Sequence, residues 1–159
     1  MRKKMIAALT ALFVGVSTAL PAAEPARVGA DELLKVALKN SDLTAGDFEK
    51  YRLPDGRNSI RSQKPASGLM ISFIGPADDV TEVVALARME KETFLRHELL
   101  LTALAMTAAR WDDGLQVVPD IINELAQKNG GKRQVTINGR IVAVGVMPPN
   151  LVSINVVKR

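Results

Sequence analysis

The dipeptide Asn138-Gly139, set between Val135-Thr136-Ile137 and Ile141-Val142-Ala143-Val144, constrains the fold more than any other feature of the chain. Two-residue hairpin loops favour turns with positive φ at both central positions, and Asn-Gly adopts them at the least cost. Such a loop sets the register, placing Val135 opposite Val142 and Ile137 opposite Arg140. Because successive side chains point to opposite sides of a strand, Val135, Ile137, Val142, Val144 and Val146 share one face. A three-residue loop at Pro148-Pro149-Asn150 then pairs Val146 with Val152, Val144 with Ile154 and Val142 with Val156. Both loops put valine and isoleucine on the same side, and a slip of one residue in either would turn that row to solvent. The C-terminal third is therefore predicted to be a three-stranded antiparallel meander with one buried face. If its second face is open, Thr136, Ile141, Ala143 and Ser153 line it.

Upstream, Leu33, Leu34, Ala37 and Leu38 recur at helical spacing, with Asp31 as N-cap and Asn40 as the stop. Residues 41–68 read as loop with one short strand near Phe48–Leu53, turning at Pro54-Asp55-Gly56. Leu69–Ile74 and Val80–Ala87 read as a hairpin across Gly75-Pro76-Ala77-Asp78-Asp79. From Arg88 to Trp111 good helix formers dominate, predicting a helix of about 22 residues. Its segment Leu99–Met106 is apolar nearly all round, which favours burial against the sheet over a partner-binding helix. A second helix is expected from Asp113 to Lys128, ended by Gly130-Gly131, with Pro119 kinking or restarting it. The sum is an α+β fold: an antiparallel sheet of about five strands, a hairpin plus the meander, with two consecutive helices on one face and a short N-terminal helix.

The N-terminus opens Met1-Arg2-Lys3-Lys4 and continues from Met5 to Leu20 without a charge, ahead of the small residues Ala22-Ala23. That order is the pattern of a secretory signal, and the apolar run is shorter than the ~20 residues a spanning helix needs. Residues 1–23 are read as a signal cleaved after Ala23, 24–30 as a flexible leader and 31–159 as one α+β domain, periplasmic or extracellular. Removing the signal leaves 18 basic against 17 acidic residues. The basic pI of the whole chain thus argues little for nucleic acid, and stacking aromatics are scarce. The chain has no cysteine, so no disulfide framework or thiol chemistry is available.

His97 is the only histidine, and Thr93, Phe94, Leu100 and Leu101 stand at its helical neighbour positions, none of them a partner for a zinc site. Asp78-Asp79 and Asp112-Asp113 lie at element boundaries without the spacing of a calcium loop, so they read as turn and cap residues. Gly130-Gly131-Lys132 lacks the first glycine of a phosphate loop and reads as a helix end. Trp111 reads as a plug between layers. No metal, cofactor or catalytic residue is assigned. The charge pattern is more informative: Lys50, Arg52, Arg57, Arg61 and Lys64 surround a single acid, Asp55, and Lys128, Lys132, Arg133 and Arg140 form a second basic group. Were the two to converge, they would attract an acidic protein, an acidic envelope component or a membrane surface. The expectation is an exported, non-enzymatic binding or accessory protein, a helper or component of a secretion or assembly apparatus, with Arg52, Arg57, Arg61, Lys132 and Arg133 as binding residues. A hydrolase or metal-dependent enzyme using His97 and a carrier with an apolar cleft between helices and sheet are the alternatives.

Overall fold

The computed structural model describes residues 24–62 and 64–159, so the expected signal at 1–23 lies outside the described residues. Along the chain run α1 (Ala30–Lys39), β1 (Phe48–Arg52), β2 (Asn58–Ser62), β3 (Leu69–Ile74), β4 (Glu82–Arg88), α2 (Phe94–Ala109), α3 (Gly114–Gln127), β5 (Gly131–Ile137), β6 (Arg140–Met147) and β7 (Leu151–Lys158). The strands form one antiparallel sheet in the order β1-β2-β3-β4-β7-β6-β5. Two meanders, β1 to β4 and β5 to β7, thus meet where β4 pairs with β7, and α2 and α3 make the connection between them.

The C-terminal register is the expected one at every pair: Val135 faces Val142, Ile137 faces Arg140, and Val142, Val144 and Val146 face Val156, Ile154 and Val152. Asn138 and Gly139 both carry positive φ, 49° and 72°, as the turn requires. Val142, Val144, Val152, Ile154 and Val156 are buried beneath the helices, with Val83, Ala85 and Ala87 of β4 and Ile71 and Phe73 of β3 extending the same face. α2 packs on β4, β7 and β6, α3 on β6 and β5, and α1 lies against α2.

The sheet has seven strands rather than about five, and the difference lies in residues 41–68, where the short strand expected near Phe48–Leu53 is β1 and its partner β2 was expected as loop. β1 and β2 form a hairpin on the far side of β3, turned by Leu53–Arg57, where Leu53 N–H donates to Arg57 O and Gly56 N–H to Leu53 O, both at 2.9 Å. Only Phe48 and Ile60 of these strands supply large apolar side chains to the core. Backbone pairing and the turn therefore hold the hairpin, and periodicity does not reveal β2. The charged side chains of edge strand β1 suit its position, since charge on an edge discourages pairing with another chain.

Two helix expectations are also corrected. α2 has 16 residues and starts at Phe94, because β4 continues through Arg88, paired with Leu151, and Met89 N–H donates to Asn150 O. Residues 88–92 favour a helix locally, but sheet pairing overrides that preference. α3 runs without interruption through Pro119. Buried Val118, Ile121, Ile122 and Leu125 anchor it on both sides of the proline, and packing outweighs the one backbone hydrogen bond lost. At α1 the N-cap is Gly29, so Asp31 sits in the first turn beside Glu32, where acids favour the helix dipole.

Residues 24–30, expected as a flexible leader, are stitched down. Val28 is fully buried, and its carbonyl accepts from Val80 N–H at 2.8 Å; Ala30 N–H donates to Ala77 O at 2.8 Å. The hold comes from one apolar side chain, two backbone hydrogen bonds and the guanidiniums of Arg110 and Arg140 on the carbonyls of Arg27 and Ala26, none of which periodicity shows.

Candidate functional site

The helices do not cover the β1–β2 end of the sheet, and a cleft of about 410 Å³ opens there. Its apolar lining comes from Ile60, Phe73, Val80, Ala30 and Ala77, which lie on β2, β3, the β3–β4 turn and the first turn of α1. Register puts Lys50, Ile60 and Phe73 in one cross-strand row, so Lys50 and, two residues on, Arg52 rise at the same side as the apolar wall. The cleft therefore has an apolar floor and a cationic rim. Phe73, stacked on Phe48 with ring centroids 6.1 Å apart, fixes that floor. Arg52 is held outward by its Nε, which donates to Gly56 O at 3.3 Å.

The five expected binding residues fall in different places. Arg52 lies at the rim of the cleft. Arg57 is neutralised by Asp55 at 2.8 Å and Glu82 at 2.9 Å. Hydrogen bonds from the Arg57 backbone and then its side chain hold the Asp55 carboxyl below its ordinary pKa. Arg61 lies 3.7 Å above the Tyr51 ring and 3.4 Å from Glu49, on the face opposite the helices. Arg133 is paired with Glu124 of α3 at 2.7 Å. Lys132 stands on edge strand β5, across five strand spacings or about 24 Å from β2. The two basic groups do not converge, and the second loses a member, because Arg140 is 1 % exposed. Among the described residues Lys50, Arg52 and Lys132 have no ion-pair partner, and two of these three line the cleft.

Arg140 is a structural tie. Its guanidinium donates to Val80 O at 3.1 Å and Ala26 O at 3.2 Å and lies 4.0 Å from Asp79, which Lys158 also binds at 2.7 Å. Burial lowers its proton affinity, with Asp79 opposing.

His97 is buried at the N-terminal end of α2, with Nδ1 2.6 Å from Arg88 O. In the neutral ring that carbonyl places the proton on Nδ1 and leaves Nε2 as acceptor. The adjoining polar recess of about 250 Å³ includes Asp42, Ser67, Glu90 and Thr93. Ser67 Oγ, however, donates to Lys64 O at 2.6 Å, and Asp42 pairs with Arg96 at 3.5 Å. Among the described residues no hydroxyl is hydrogen-bonded to His97, the pairing that activates a serine nucleophile. The bond from His97 latches the end of β4 to α2.

Asp79 is absorbed by Lys158 and Arg140, whereas Asp113 precedes α3 as its N-cap without a side-chain cap bond. Gly130 N–H donates to Leu125 O and closes α3. Trp111, 8 % exposed, plugs the α2–α3 junction against Gly114. Among the described residues no three potential ligating side chains gather as a metal group, and no helix is long and apolar enough to cross a membrane. No protein family, curated protein or solved structure matches the chain.

The cleft was not legible residue by residue. Ala30, Ile60, Phe73 and Val80 are distant in the chain and converge only through the pairing of β2 with β3 and the backbone bonds of Val28 and Ala30 to the β3–β4 turn. The one usable signal was the excess of cations around Lys50 and Arg52.

Proposed function

We propose that the protein is an exported, non-enzymatic binding protein of the cell envelope that holds a small acidic amphiphile in the cleft beside α1. The observation that carries this reading is the coincidence of an apolar cleft of about 410 Å³ with Lys50 and Arg52, two cations without ion partners among the described residues. Ligand pockets of about 300–1,000 Å³ with few polar groups at the mouth are the common form of a small-molecule site. An alkyl or aryl body displaces water from Ile60, Phe73 and Val80, and its carboxylate or phosphate meets the rim. The expected acidic partner and the carrier with an apolar cleft thereby become one reading.

Calorimetric titration with dodecanoate tests it. One dodecanoate is expected to bind per chain, with dodecyltrimethylammonium inert because its head has the wrong sign. Ile60→Trp fills the cleft and should abolish binding. Lys50→Glu with Arg52→Glu should weaken it at least tenfold, since a hydrogen bond to a charged group is worth about 1.5–3 kcal/mol. Dodecanoate binding that survives both variants would refute the proposal.

A further inference from the structure

We propose that the groove between α2 and α3 docks a basic amphipathic segment of a partner protein. The groove has a volume of about 290 Å³ and shares no lining residue with the cleft, so the two proposals stand or fall separately.

Leu95, Leu99 and Thr102 follow one stripe of α2 at helical spacing, with Glu98 beside them, and Leu115 and Pro119 lie one turn apart on α3. Leu95, Leu99 and Leu115 are 77 %, 48 % and 58 % exposed, half of the six large apolar side chains exposed among the described residues. Scattered single leucines are ordinary on a surface, but three around one depression mark an interaction site. The floor adds polar groups without partners. Thr102 is 1 % exposed and its Oγ1 has no hydrogen bond, and Glu98 Oε1 is withdrawn from solvent without one. Pro119 has no N–H, so the Leu115 carbonyl lacks its regular donor four residues on. Two of the five unpartnered buried side-chain atoms among the described residues therefore sit in this one groove.

Glu98 Oε1 and the Leu115 carbonyl call for donors, Thr102 Oγ1 can take either partner, and the charge around the groove gives the sign. Glu92, Asp112, Asp113 and Asp120 lie within three residues of lining positions, and among the described residues neither they nor Glu98 has an ion partner. Arg96 is taken by Asp42 and Arg110 by Glu32, leaving Lys91 as the one unpaired cation of this region among the described residues. An occupant with apolar side chains at helical spacing and lysine or arginine beside them satisfies both the leucines and Glu98, in the helix-in-groove mode. A second copy would bring its own Glu98, Glu92 and Asp112 against these acids, and an anionic membrane would face the same repulsion.

Fluorescence anisotropy with labelled synthetic peptides tests the inference. The probes are an amphipathic helix of leucine and lysine, the same helix with glutamate for lysine, and a scrambled leucine–lysine peptide without an apolar face. The basic amphipathic peptide is expected to bind at least tenfold more tightly than either control. Leu99→Ser with Leu115→Ser should weaken it at least tenfold while the circular dichroism melt stays unchanged, and Glu98→Gln should weaken it several-fold. Equal binding of all three peptides, or unchanged affinity in the double serine variant, would overturn the proposal. Sedimentation velocity without peptide should give a monomer; a dimer that the serine variant dissolves would make a second copy the occupant and also overturn it.

Discussion

Replacing Arg140 by methionine sets two large opposing effects against each other at one position. The side chain lies on the buried face of β6, and its guanidinium ties two separate backbone segments, at Val80 and Ala26, to the sheet. Removing a charged donor forfeits about 1.5–3 kcal/mol per hydrogen bond and leaves each carbonyl unsatisfied at a cost of about 1–3 kcal/mol. Against this, methionine relieves the desolvation of a buried cation, itself several kcal/mol, and keeps most of the apolar stem packed. Asp79 lies at 4.0 Å and retains Lys158, so no acid is left wholly uncompensated. The lost bonds outweigh the relief, because the bond to Val80 O is buried and that carbonyl cannot turn to water. The expected net loss is about 3 kcal/mol, which at a slope of ~2 kcal/mol per molar urea lowers the unfolding midpoint by about 1.5 M. Hydrogen exchange gives the local readout: the Val80 amide, bonded to Val28 O, should lose protection ahead of the amides of β6 and β7. Arg140→Lys, which retains charge but cannot reach both carbonyls in a fixed fork, should fall between. A midpoint that stays or rises in Arg140→Met would show that desolvation dominates and refute the reasoning.

Asn138→Gly keeps the turn conformation but removes the Nδ2 donor to Ala109 O and Arg110 O, at 3.1 and 2.6 Å, which close the end of α2; a loss of about 1 kcal/mol, or ~4 °C in thermal melting, is expected. Gly114→Ala places a methyl 2.5 Å from Met106 Cγ and 3.4 Å from the Trp111 ring, so calorimetry should show a loss of about 1–3 kcal/mol despite alanine's better helix propensity, and a gain would refute the close packing. Glu98→Gln tests the acid of the groove by its pH dependence. Burial raises the Glu98 carboxyl above its ordinary pKa, so the folded state holds that proton more tightly than the unfolded chain and loses stability as pH rises through the raised value. The glutamine variant should melt higher at neutral pH and coincide with the parent below about pH 4, and a gap that widened toward acid would reverse the assignment.

The C-terminal meander was legible to the residue because two short loops and one repeating side-chain face specify the same register independently. The β3–β4 hairpin and the two central helices followed from equally local patterns. The short strand near Phe48–Leu53 and its turn were also legible. The errors share a physical form: β2, the start of α2 and the seat of Val28 are all fixed by contact with chain outside their own local pattern. Arg140 shows the limit differently. The register had already set it opposite Ile137 on the core face, yet a charge reads as surface until the carbonyls of Ala26 and Val80 are seen to meet it. Leu99 errs in the opposite direction. It opens a stretch apolar nearly all round, and only the placing of α3 decides that Leu100, Leu101 and Leu104 go inside while Leu99 stays 48 % exposed.

The cleft follows from the dimensions of the fold. Seven strands give six spacings, so the sheet is about 29 Å wide. Two packed helices about 10 Å apart cover about 20 Å of that width, and here α2 and α3 cover the side from β4 to β5, with α1 laid against α2. That leaves β1, β2 and β3 beyond α2 and α3, with β1 and β2 outermost. The exposed floor there is narrow, so its only large aliphatic residue is Ile60, with Phe73 next to it, and the outer positions are the lysine and arginine that an uncovered edge tolerates. The same shortage of cover that hid β2 from periodicity thus produces an apolar floor beside cations that have no ion partner among the described residues. A third helix laid over β1–β2 would remove the cleft. Shortening the β1–β2 hairpin by deletion should therefore remove dodecanoate binding while the β4–β7–β6–β5 layer beneath α2 and α3 still melts cooperatively, and loss of that cooperativity would mean that the hairpin belongs to the core.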